Sequence, residues 1–107
     1  MDYTNLGRNG VKVSRLCLGT MTFGNKDWGC DQDESNAIVC HFIEGGGNFI
    51  DTADGYSGGD SERMLGKAIA HFDRDDLVLA TKCWFPSGKA VTARGLSRKH
   101  TVEACER

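Results

Sequence analysis

Short apolar runs alternate with amphipathic segments along this chain, and the alternation repeats three times after an opening hairpin. Tyr3 to Leu6 and Val11 to Val13 flank Gly7-Arg8-Asn9-Gly10, and an Asn-Gly pair between two strand-like runs predicts a β-hairpin over residues 1–15. A first strand is expected at Arg15 to Leu18, ending at Gly19-Thr20, followed by a polar loop from Thr22 to Cys30. Asp31 then stands as a helix cap with Glu34 at the capping-box position, ahead of Ile38, Val39, Phe42 and Ile43 at helical spacing. Gly45-Gly46-Gly47 stops that helix.

The second round begins with Asn48 to Ile50, ending at Asp51-Thr52. A Gly-rich loop leads into a helix from Ser61, whose Leu65, Ala68, Ile69 and Phe72 form one apolar face. The third opens with Leu77 to Thr81, apolar enough to be a strand buried on both faces, and ends at Lys82. A last helix starts near Ser97, with Val102 and Cys105 on one side, and the chain stops inside it at Arg107. The ending reads as a cut.

The strand ends at Gly19, Asp51 and Lys82 lie 32 and 31 residues apart. That period fits right-handed βαβ units on a parallel sheet. It equals one unit of an eight-unit barrel, and a doubly wound sheet shares it. The expected division is a hairpin over 1–15 and three βα units over about 15–46, 47–76 and 77–107.

Charge narrows the function little. Thirteen Lys+Arg against 15 Asp+Glu give a net charge of -2, which argues against nucleic acid as a partner because phosphate binding needs a basic face. No apolar run approaches the roughly 20 residues of a membrane span. The N-terminus carries no signal-peptide pattern, so a cytoplasmic protein is expected. Cys17, Cys30, Cys40, Cys83 and Cys105 include no CxxC pair, and His41, His71 and His100 lie far apart. Reduced thiols and no metal site are the expectation.

Functional groups in α/β folds gather at the carboxyl ends of the strands. Asp51, Tyr56 and Lys82 stand there. A Lys can pair with a carboxylate and lower a nearby phenol from its reference pKa of about 10, making it a general acid. The same three residues also read as a structural ion pair beside a loop aromatic, and spacing alone favours that reading. None of the glycine clusters is a nucleotide motif. Gly45-Gly46-Gly47 precedes a strand, Gly58-Gly59 lacks GxGxxG spacing, and Gly66-Lys67 is followed by Ala68.

At these residues the chain resembles a known family. Leu6 to Ser14 with Leu18 to Gly24, Gly46 to Tyr56, Ser61 to Gly66, and Val78 to Lys82 are similar to the opening segments of aldo-keto reductases, in order and spacing. The resemblance implies an α/β fold of the (β/α)8 TIM-barrel family, here an incomplete barrel with an N-terminal β-hairpin and three βα units. It implies NADPH as cofactor and the reduction of a small aldehyde or ketone to an alcohol. Tyr56 is then the proton donor, Lys82 lowers its pKa, and Asp51 holds Lys82. Gly19, Thr20, Met21 and Asp51 are expected at the cofactor, Asp51 at the nicotinamide ribose. Trp28 and Trp84 become candidate walls of the substrate pocket.

The family's catalytic His, at the end of the fourth strand, and its main NADPH contacts lie beyond Arg107. His100 is expected near the start of the third helix and solvated, no substitute for it. Ser57 stands where many relatives have Gly. Three units leave open sheet edges, so the 107 residues alone are expected to be poorly folded or self-associating, and inactive. Two further readings stand beside the enzyme: a non-catalytic NADPH-binding scaffold resembling potassium-channel β subunits, and a fragment acting only by assembly.

Overall fold

The computed structural model describes residues 1–107. Strands β1 (Tyr3–Asn5) and β2 (Lys12–Ser14) form the hairpin, with Thr4 opposite Val13. The Leu6 amide donates to the Val11 carbonyl at 2.8 Å. Gly7 and Gly10 close the turn at φ +66° and +78°, a region that costs glycine nothing. The hairpin docks through polar contacts. The Ser14 amide donates to Asn48 Oδ1 at 2.7 Å, and Asn48 Nδ2 donates to the Lys12 carbonyl at 3.0 Å. It therefore seats at the amino end of the strand that follows Asn48.

That strand, β4 (Phe49–Asp51), is central in a parallel sheet between β3 (Leu18–Gly19) and β5 (Val78–Ala80). The register aligns Gly19, Asp51 and Ala80. β3 and β5 are shorter than the apolar runs suggested, and β4 keeps its expected length one residue later. Beyond Ala80 the chain stays paired, because the Thr52 amide donates to the Ala80 carbonyl and the Asp54 amide to the Lys82 carbonyl. Lys82 thus rides two residues above the regular strand end. The expectation that β5 is buried on both faces does not hold, since its three residues are half-buried. It is the edge of a three-stranded sheet, with Leu79 against the core.

Helix α1 (Gln32–Glu44) starts where the pattern placed it. Asp31 Oδ1 accepts from the Glu34 amide at 3.0 Å and Glu34 Oε2 accepts from the Asp31 amide at 3.1 Å, the reciprocal capping box. Helix α2 (Asp60–Ala68) is shorter than its apolar face, with Ile69 already at the C-cap and Phe72 in the turn beyond. The two helices pack side by side over a small core of Phe23, Val39, Ile50, Leu65 and Ala68. Helix α3 (Arg98–Glu106) is capped by Ser97, whose side chain accepts from the His100 amide.

Fifteen of 107 residues are buried. The radius of gyration is 14.7 Å, against about 13 Å for a compact domain of this length. The sheet forms an open arc, with no closed barrel.

His100 corrects an expectation. Rather than solvated, it is fully buried, with Nε2 against the Cys83 carbonyl at 2.9 Å. As the third residue of α3 it reaches back to the backbone beside Lys82, where the Cys83 carbonyl partners its ring.

Candidate active site

The carboxyl ends of the strands bring Asp51, Tyr56 and Lys82 together. Asp51 is the last residue of β4, Tyr56 opens a single tight turn (Tyr56–Gly59) before α2, and Lys82 stands above β5. The Lys82 ammonium donates to Asp51 Oδ2 at 2.6 Å, to the Thr52 carbonyl at 2.9 Å and to Tyr56 Oη at 3.0 Å. An ammonium has three protons, and all three are committed. The same nitrogen sits 4.7 Å from the centre of the Tyr56 ring. Because Tyr56 Oη accepts from Lys82, its own proton is free to point elsewhere.

Partial burial pulls Lys82 down, but its hydrogen bonds to Asp51 and Tyr56 and their charge outweigh that and raise it above its ordinary value. It remains an ammonium through neutral pH. A fixed cation against a phenol oxygen stabilises negative charge appearing there, which is what proton donation produces. Cys17 lies within electrostatic reach of the pair. Burial, then the Asp51 charge, push its thiol up against an opposing pull from Lys82, which keeps it protonated rather than nucleophilic.

The other expected residues separate into two groups. Gly19 and Met21 are exposed at the strand end. Thr20 is fully buried, its hydroxyl 2.9 Å from Ser61 Oγ and 3.2 Å from the Asp51 carbonyl, which leaves its side chain no surface for a ligand. Trp28 and Trp84 are 58% and 60% exposed. Trp84 meets Phe85 edge-on at 5.2 Å. A polar groove of about 580 Å³ opens beside the site between the Tyr56 turn and α3, lined by residues including Asp54, Glu62, Arg63 and Arg107, and neither tryptophan borders it.

Ser57 carries more than its place in the motif suggested. It sits at φ +50°, ψ +36°, a left-handed conformation disfavoured for a residue with a Cβ. Its Oγ donates to the Phe23 carbonyl at 2.9 Å, a bond glycine cannot make. Residue reading missed Ser61 altogether as a functional group. The available signal was that Thr20 and Thr52 each stand one residue past a strand end in consecutive units.

A parallel sheet layered with helices, a hairpin at its amino end and a Lys–Asp–Tyr cluster at its carboxyl end define the class. The chain belongs to the aldo/keto reductase family, whose family model matches residues 15–107. Its architecture is an incomplete (β/α)8 barrel.

Among its relatives, norsolorinic acid reductase B of Aspergillus parasiticus is 53% identical over 77 residues, 67% of this chain and 20% of that protein. The probable voltage-gated potassium channel subunit beta of Oryza sativa subsp. japonica is 40% identical over 106 residues, 96% of this chain and 31% of that protein. A thermostable aldo-keto reductase solved with the inhibitor epalrestat superposes with a TM-score of 0.78 at 32% identity, over 99% of this chain and 36% of that one. The chain thus spans about a fifth to a third of the length of these relatives.

Proposed function

We propose that this chain contributes the proton-donating half of an NADPH-dependent oxidoreductase that reduces a small aldehyde or ketone to an alcohol. The observation that carries this reading is the allotment of the three Lys82 protons to Asp51, Thr52 and Tyr56. With Lys82 saturated, the Tyr56 proton is the one left to donate to a carbonyl oxygen. Tyr56 protonates that oxygen as negative charge builds on it. Lys82 stabilises the charge left on the phenol, and Asp51 holds Lys82 in place.

The residues present fit the nicotinamide end of the cofactor. Asp51 is half-exposed at the strand end and meets Lys82 through Oδ2, which leaves Oδ1 to accept from a ribose hydroxyl. Gly19 and Met21 border the same opening. A reduced nicotinamide, when bound, supplies hydride. Thr20 acts through its bonds to Ser61 and Asp51, and Trp28 and Trp84 are free to wall a carbonyl substrate from the loops.

The test is Tyr56→Phe in a chain carried through the whole barrel, followed by NADPH consumption with an aldehyde. Turnover is expected to fall by about 10²–10⁴-fold, the usual worth of a general acid, with cofactor binding retained. Unchanged turnover overturns the reading. A second reading is a cofactor-binding subunit without catalysis, favoured by the 40% identity to the channel subunit over nearly the whole chain. It predicts NADPH binding without aldehyde-dependent consumption even with Tyr56 intact.

A further inference from the structure

A cluster of buried hydroxyls lies directly beneath the Lys82 centre. Thr20 and Ser61 are 0% exposed and Thr52 is 5% exposed. Ser61 is the second residue of α2, while the threonines follow β3 and β4. Ser61 Oγ donates to the Thr20 carbonyl at 2.7 Å. That spends its one proton, so in its contacts with Thr20 Oγ1 at 2.9 Å and Thr52 Oγ1 at 3.2 Å it is the acceptor. All three capacities of this hydroxyl are used.

Each threonine leads to the site. The Thr52 carbonyl accepts from Lys82 Nζ, so the residue Ser61 holds by its side chain is the one that holds Lys82 by its backbone. The Thr20 amide donates to the Asp51 carbonyl at 3.0 Å, and its hydroxyl lies 3.2 Å from the same oxygen. Ser61, five residues past Tyr56, therefore ties both strand ends to the first turn of α2.

We propose that Ser61 is a positioning residue for the Asp51–Tyr56–Lys82 centre, acting through Thr20 and Thr52 to aim the Thr52 carbonyl and Asp51 at the Lys82 ammonium. The inference rests on the proposed function but is tested without turnover. Once Ser61 is gone, Thr52 Oγ1 and Thr20 Oγ1 lose their shared partner, the Thr52 peptide keeps only its ladder bond to Ala80, and the carbonyl that favours the charged ammonium is aimed less firmly at it.

The experiment is a pH titration of the Lys82 side chain by NMR in the full chain with ¹³C-labelled lysine, the resonance assigned through Lys82→Arg. Ser61→Ala is expected to move the Lys82 midpoint down toward that of an ordinary lysine. Ser35→Ala, which removes another buried serine that donates to the Asp31 carbonyl at the start of α1, is expected to lower stability and leave the midpoint alone. A Ser61→Ala midpoint equal to wild type overturns the proposal and leaves the function standing. A wild-type midpoint already at the ordinary lysine value removes the centre itself. Should Ser61→Ala not fold, Thr52→Val and Thr52→Ser decide: a lowered midpoint in Val and a retained one in Ser support the relay, and equal effects overturn it.

Discussion

Lys82 illustrates how little a distance says about energy without exposure. Its 2.6 Å bridge to Asp51 is short, yet the two side chains are 48% and 36% exposed. Solvent screening holds such a pair to about 0.5 kcal/mol, so its value lies in geometry more than stability. The sign of its pH dependence follows from the upward shift. Burial works against the charge, and the bonds to Asp51 and Tyr56 overcome it. The pair therefore stabilises the fold fully below the unfolded lysine value of 10.5, and that contribution disappears as pH rises through the higher folded value. Urea midpoints of wild type and Lys82→Met should differ slightly at pH 8 and converge as pH rises through the raised folded value of Lys82. A gap that persists or widens at high pH contradicts the assignment. The identities of Asp51, Tyr56 and Lys82 were legible from motif and strand period. The inward turn of Thr20 and the role of Ser61 were not, because one-letter polarity does not say which way a hydroxyl faces.

At the scale of elements, local rules held where the interactions were local. The Asp31–Glu34 box spans three residues and was readable from spacing alone. Asp31→Ala should cost about 1 kcal/mol in chemical denaturation, because the Glu34 amide loses its acceptor and Glu34 its anchor. A loss below the error of the fit would mean that water caps the helix equally well. Where burial depends on neighbours, the same rules overreached. β5 is apolar enough for a two-sided interior, but it forms an edge and stays half-buried. His100 shows the reverse error: a polar residue in a helix's first turn reads as solvent-facing, yet a carbonyl from Cys83, seventeen residues earlier, draws it inside.

The whole molecule is built on a small open sheet with β3 and β5 each unpaired on one side. Leu16, Phe85, Val91 and Leu96 are each more than 60% exposed, an unusual amount of large apolar surface for a chain with eight buried hydrophobic residues. We therefore expect the purified 107 residues to associate through the open edges and to bind no NADPH on their own. Light scattering across a concentration series should give masses that climb above 11.7 kDa. A constant 11.7 kDa species that enhances NADPH fluorescence saturably overturns both expectations.

By itself the sequence determined the hairpin, the period of about 31 residues, the Asp31–Glu34 capping box, the start of the last helix at Ser97 and the family to which the chain belongs. Each of these is written in neighbours along the chain or in motif order. The tertiary structure alone decided how the Lys82 protons are shared, which hydroxyls lie beneath them, and which apolar residues stay in solvent. Those outcomes depend on contacts between residues 9 to 41 apart in the chain. Their geometry is set by the register of a parallel sheet, where one strand end is aimed by the helix that follows another.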